Sequence, residues 1–313
     1  MKIRRMEIET EGYAMRWRVF GRLFAATLML ACIWALTGGT PRAQASIIIE
    51  STEATGEKVE KNENCIVDYS NTAKGYVNIQ YLENTDKQIA VQVQGPSNVY
   101  NYFLRKKNNE VLPLTDGNGS YKVSVLKNVD GNKYANVITA NFSVTLSDEF
   151  QPYIRPNQYV DYAAGTKCVK KAESLCKNAN TELKKMKKIY NWVIKYFKYD
   201  NNKAKTVQAG YVPVLDNVYD AKKGICFDYA ATMTAMMRSQ GVPVKLVIGY
   251  TGSEYHAWVN VYSKKKGWIT GAIYLAGNKW KLMDPTFAST GGSSQSIMNY
   301  INNAANYQAK YSY

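Results

Sequence analysis

The 313-residue chain has a single histidine, His256, and only five cysteines. With one imidazole and no close cysteine pair, the usual ligand sets for zinc or another transition metal cannot be assembled, so neither a metal nor another cofactor is expected. A glycine-rich loop of the kind that cradles phosphates is also missing. Lysines are scattered and accompany no nucleic-acid-binding motif, which argues against nucleic acid as a partner. Long apolar runs are absent too. Residues 23–36 form the main one, and a membrane span takes ~20 residues. A C-terminal apolar anchor or wall-sorting pattern is not expected.

What is present suffices for two modest domains, since 46% of residues are hydrophobic. The net charge is +15, of which residues 1–45 contribute seven Lys/Arg against three Glu; removing that +4 leaves +11 on the remainder. Such a balance predicts attraction to anionic surface polymers or lipid headgroups. Residues 1–45 read as a signal peptide, making a secreted or cell-surface protein the expectation. Arg16, Arg18 and Arg22 precede the apolar run, and Ala43-Gln44-Ala45 offers a small-x-small cleavage site before Ser46. Glu7, Glu9 and Glu11 are unusual for a signal, so Met15 is an alternative start. Two other fates stay open: retention as an uncleaved anchor, or lipidation of Cys32 within Met-Leu-Ala-Cys. A membrane is expected as a partner only through such an N-terminus.

Residues 46–64 are charged and read as a flexible lead-in. Residues 65–147 alternate apolar and polar positions in short runs, separated by Asn-Thr-Asp, Gly-Pro-Ser-Asn, Asp-Gly-Asn-Gly and Asp-Gly-Asn. That pattern predicts a small antiparallel β-sandwich of immunoglobulin-like type. Its tyrosines read first as strand filler, with a polymer-gripping role as the alternative. Residues 148–160, with Pro152 and Pro156, read as a linker, and residues 161–313 as a second, α+β domain. Helices are predicted over 161–179 and over the apolar stripe Leu183, Met186, Ile189, Tyr190, Val193, Ile194 and Phe197. Strands are predicted over 244–250, 256–262, 268–274 and 280–284, then a Gly/Ser loop at 288–296, a short helix at 295–302 and a last strand at 307–313.

The chemistry concentrates in residues 222–240. Gly224 is a joint, and Cys226 stands where a helix begins, with apolar residues at Ala230, Met233, Met236 and Met237. Gly241 and Pro243 end it. A thiol at a helix N-terminus feels the positive end of the dipole, which favours the nucleophilic thiolate. His256 opens a strand-like run, and Asp284 closes another before Pro285. As the only imidazole in the chain, His256 is the one base of its kind available to Cys226.

Gly-Ile-Cys-Phe-Asp-Tyr-Ala, Arg-Ser-Gln-Gly-Val-Pro-Val, Tyr-His-Ala-Trp-Val and Met-Asp-Pro-Thr occur in that order. Together they closely resemble the transglutaminase-like core of bacterial secreted proteins, over roughly residues 180–290. The Tyr-Asp of Lys-Tyr-Asp-Asn-Asn resembles the element preceding that core. The resemblance implies a papain-like plan of helices plus antiparallel sheet, and a Cys226–His256–Asp284 triad. The expected function is thiol-dependent acyl transfer, cleaving peptide or isopeptide bonds through a thioester, with cell-wall peptides among the candidate substrates. The alternatives are cross-linking of protein or peptidoglycan by amine transfer and, in another class, a non-catalytic surface binding or scaffold module. The backbone amide of Cys226 suits an oxyanion donor. In animal members a Trp shortly before the cysteine segment serves as the second donor. Tyr211 sits comparably here, and the change of residue leaves that role open. With Cys226 reactive, Cys65 either pairs with Cys168 or Cys176, or all three stay free. Cys168 and Cys176 are too far apart on one helix to pair with each other.

Overall fold

The computed structural model describes residues 46–105, 109–270, 273–276, 279–282, 286 and 306–313. The signal-like residues 1–45, Asp284, and the loop and helix expected at 288–302 lie outside the described residues. From residue 46 onward the described residues fall in one compact unit of helices and sheets, antiparallel except for one two-stranded pair.

The β-rich half contains eight strands: β1 (Val59–Lys61), β2 (Cys65–Asp68), β3 (Tyr76–Tyr81), β4 (Ile89–Gln94), β5 (Val99–Phe103), β6 (Glu110–Pro113), β7 (Gly119–Asp130) and β8 (Lys133–Val144). They form two four-stranded antiparallel sheets, ordered β1-β2-β3-β6 and β5-β4-β7-β8. This order differs from the immunoglobulin constant-type arrangement, whose sheets run A-B-E-D and C-F-G. Alternation works as expected in β4 and β7, where Ile89, Val91, Val93, Tyr121, Val123 and Val125 turn into the core. In β3, by contrast, Tyr76, Val77, Asn78 and Ile79 are all buried.

The segment before β1 explains that double burial. Tyr76 Oη donates to the Glu53 carbonyl at 3.0 Å, Asn78 Nδ2 to Thr52 O at 2.9 Å and Arg155 Nη1 to Ser51 O at 2.8 Å. The chain expected to be loose over 46–64 is therefore held by its own carbonyls. These groups are blind to side-chain composition, so the charged sequence conceals the attachment. Residues 148–160, expected as a linker, are likewise packed: Pro152, Tyr153, Arg155, Asn157, Gln158 and Val160 are buried.

The second half holds α1 (Lys167–Cys176), α2 (Glu182–Tyr196), β9 (Lys198–Tyr199), α3 (Asn201–Thr206), α4 (Leu215–Ala221), β10 (Lys223–Gly224) and α5 (Cys226–Arg238). Helix α1 starts later than the pattern suggests, because Thr166 Oγ1 accepts the Ala163 N–H in a turn just before it. Helix α2 is capped by Thr181, whose hydroxyl accepts from Lys184 N, and buries Met186, Ile189, Tyr190, Trp192 and Val193. Helix α5 is buried on every side from Asp228 to Arg238, which makes it the central element of this half.

Strands β11 (Val244–Thr251), β12 (Glu254–Ser263) and β13 (Gly267–Thr270) follow, then β14 (Ile273–Ala276), β15 (Lys279–Leu282) and β16 (Tyr307–Ser312). The sheet runs β13-β12-β11-β16, while β14 and β15 pair separately. The expected four-strand meander is thus split, and the last strand returns to β11. Gly249 permits that return: a Cβ there would collide with Gln308 O and stand 2.9 Å from the Trp258 ring.

Arg238 joins the pieces. Fully buried, it donates to Val244 O through Nε and Nη2, to Arg155 O through Nη1 and to Tyr313 O through Nη2, at 2.7–3.1 Å. Burial pulls the pKa of its guanidinium down to about 10, so the group stays charged at neutral pH. Tyr100 and Tyr102 of β5 pack on Tyr313, with centroids at 5.6 and 5.9 Å. These sandwich tyrosines are interior contacts.

Candidate active site

Cys226 is the first residue of α5 and is half-buried. Its location is set by the short parallel pair β9/β10, in which Tyr199 stands beside Gly224. Asp200 N then donates to Gly224 O at 2.9 Å, tying the start of α3 to the residues just before the thiol. His256 enters from the beginning of β12, opposite Gly249 of β11, and is 7% exposed. Strand alternation places it on the face of Trp258, whose Nε1 donates to Asn260 Oδ1 at 3.1 Å. Ala257, Val259 and Val261, on the other face, belong to the main core. Trp258 packs with Val247 and Tyr307.

Cys226 and His256 line one cleft of about 510 Å³. Tyr159, Tyr211, Phe227 and Tyr255 give it an aromatic wall, and Glu254 adds a carboxylate. Tyr255 is 58% exposed at the mouth and meets Tyr250 edge-on at 5.4 Å. The inner wall continues into the sandwich through edge-on and tilted ring contacts: Phe227 with Tyr159 at 5.4 Å, then Tyr159 with Tyr313 at 4.5 Å and with Tyr102 at 5.5 Å. The third expected member, Asp284, lies outside the described residues. Cys226 and His256 thus share the cleft.

Tyr211 lines the same cleft, but its hydroxyl proton is engaged. Its Oη donates to Asp228 Oδ1 and accepts from Lys203 Nζ at 2.6 Å. Burial first, and the Asp228 hydrogen bond second, push the phenol above its usual pKa. Asp228 has a fully buried side chain that also takes the Lys203 ammonium at 2.7 Å and the Ile225 N–H at 2.8 Å. The sequence reading singles out neither Asp228 nor Lys203. A carboxylate at the third position of a helix, able to reach back to an N-cap amide, is the signal that marks Asp228.

The other thiols differ. Cys65, Cys168 and Cys176 are buried and free, so no bridge joins the sandwich to α1. Burial raises them to about 12, about 12 and about 11. Among the described residues no His/Cys/Asp/Glu group gathers to hold a metal ion, and no helix is long and apolar enough to cross a membrane.

Residues 169–271 match the family model of the core of the transglutaminase-like superfamily. The uncharacterized protein YebA of Bacillus subtilis is 31% identical over 71 residues, covering 17% of this chain. A protein-glutamine gamma-glutamyltransferase of Pseudomonas aeruginosa is 30% identical over 69 residues, covering 18% of this chain. The matched stretch spans 10% of the length of each of these relatives. Red sea bream transglutaminase overlays with a TM-score of 0.29 at 13% identity, over 72% of this chain and 53% of that one. Residues 169–271, the stretch similar to the transglutaminase-like core, hold both Cys226 and His256.

Proposed function

We propose that this chain is an exported thiol-dependent acyl-transfer enzyme that cleaves peptide or isopeptide amide bonds, with Cys226, His256 and Asp284 as its triad. The observation that carries the reading is the single cleft shared by the thiol at the tip of α5 and the chain's only imidazole. In the first half-reaction the Cys226 sulfur bonds to the amide carbonyl carbon, and His256 takes the thiol proton. The C–N bond then breaks, and the same proton leaves with the amine. Backbone N–H groups at the start of α5 are the donors for the oxyanion that forms between these steps. Asp284 has the role of fixing the imidazole tautomer. In the second half-reaction water attacks the thioester through His256, the C–S bond breaks, and the acid product departs with the thiol restored.

Amine transfer is the second reading. Glu254 favours it, because a carboxylate in the cleft attracts a protonated amine before attack. Export rests on the signal-like residues 1–45, and the +11 charge beyond them suits substrates attached to anionic wall polymers.

Peptide release and primary-amine incorporation should be measured side by side on wild type and Cys226→Ala. Either activity, lost in the variant, is the expected result. Intact protein that binds wall peptides, shows neither activity and labels with iodoacetamide no faster at Cys226 than at Cys168 would make it a binding module.

A further inference from the structure

We infer that Lys203, Asp228 and Tyr211 form a positioning network for Cys226, and that Tyr211 acts through Asp228 instead of serving as an oxyanion donor. The inference rests on the thiol-enzyme reading above. Three contacts converge on one fully buried carboxylate: the Ile225 amide, the Lys203 ammonium and the Tyr211 phenol. The Ile225 bond fixes the residue preceding the nucleophile and thereby the direction in which the first turn of α5 points its thiol. Lys203 then completes a triangle, donating to Tyr211 at 2.6 Å while its ammonium lies 4.2 Å from the Tyr211 ring centroid.

The charges explain why a cation is needed. A carboxylate whose side chain is fully buried is costly to hold without a cation beside it. The Lys203 ammonium at 2.7 Å compensates that charge while leaving the hydrogen bond to Ile225 intact. Lys203 is delivered by α3, whose N-cap carboxylate, Asp200, accepts the Lys203 N–H at 3.0 Å and lies 3.2 Å from Lys223 Nζ. Gly224 leaves room for the clamp, since a Cβ there would meet the Asp228 Cβ at 2.5 Å. Tyr211 has one hydroxyl proton, already given to Asp228. An oxyanion would have to take it from a charged, buried acceptor.

The test uses the whole protein and two readouts: the iodoacetamide rate of Cys226 at one fixed pH, and kcat and KM separately. Lys203→Met should slow alkylation by roughly tenfold and lower kcat to match, with KM within about twofold. Lys203→Arg should restore most of both. Lys203→Met/Asp228→Asn, which removes both charges, should alkylate faster than Lys203→Met alone, an outcome that loss of packing does not produce. Tyr211→Phe should lower kcat by less than about tenfold and slow alkylation in parallel. The inference is overturned if Lys203→Met alkylates like wild type. It is equally overturned if Tyr211→Phe loses about 10²–10³ in kcat with alkylation unchanged, the mark of an oxyanion donor. Because alkylation needs no substrate, a protein without turnover whose alkylation still follows this pattern would sink the enzyme reading and leave the network standing.

Discussion

The first turns of α1 and α5 each carry a cysteine and each lie near a carboxylate, yet the two tips are built to opposite ends. At α1, Asp216 accepts the Lys167 N–H at 2.9 Å and the neighbouring Cys168 is sealed in the core. Burial, with the Asp216 charge adding to it, raises that thiol to about 12. At α5, the carboxylate is Asp228, it bears the Lys203 ammonium, and Cys226 opens onto a cleft with His256. A helix N-terminus is common to both, so the dipole alone does not set the two thiols apart. Access, an imidazole in the same cleft and a cap carboxylate paired with an ammonium distinguish the second tip.

The comparison breaks most sharply by removing sulfur from each tip in turn. Cys226→Ser should lower kcat/KM by about 10³-fold or more, while Cys168→Ser leaves kcat/KM within about twofold, both measured on the same peptide. His256→Ala should cost about 10²–10⁴-fold in kcat. Iodoacetamide should label Cys226 in folded protein at least about 10²-fold faster than Cys168, and the gap should close in denaturing urea; mass mapping of labelled peptides reads both. Gly224→Ala, which drives a methyl into Asp228, should lower kcat by about 10-fold or more with folding retained by circular dichroism.

The smallest effect is on stability. A thiol with a raised folded pKa keeps its proton longer when folded. Its contribution is full below the ordinary value of 9.0 and declines as pH rises towards about 12 for Cys65 and Cys168. Urea midpoints should therefore fall as pH climbs from that ordinary value towards the raised one, and Cys168→Ala should flatten part of that slope. An unchanged slope would place the alkaline sensitivity in the buried tyrosines instead.

Much of this is legible in the chain itself, for identifiable reasons. Strands β4 and β7 show period-two alternation because one face of each meets the core. Cys226 and His256 stand out because their flanking residues form linked motifs and because imidazole occurs once. The positions that escape share another property: their partners are remote or chemically silent. Asp228 reads as an ordinary polar residue until Lys203, 25 residues earlier, is brought to it by α3. Residues 51–53 are held by carbonyl groups that every residue carries. Arg238 lies at the end of an apolar helix, where a charged side chain is usually solvated. Only the return of β16 along β11 brings the Tyr313 carbonyl within its reach.

That guanidinium has a wider meaning for how the molecule comes apart. It grips the backbone at three distant points of the sequence, at the opposite end of the helix whose first residue is Cys226. Pulling away the segment around Arg155, strand β11 or Tyr313 would leave a desolvated cation stranded, so heat should melt that segment, the β11 sheet and helix α5 in one calorimetric step. Reactivity at the sulfur would then persist undiminished until that step.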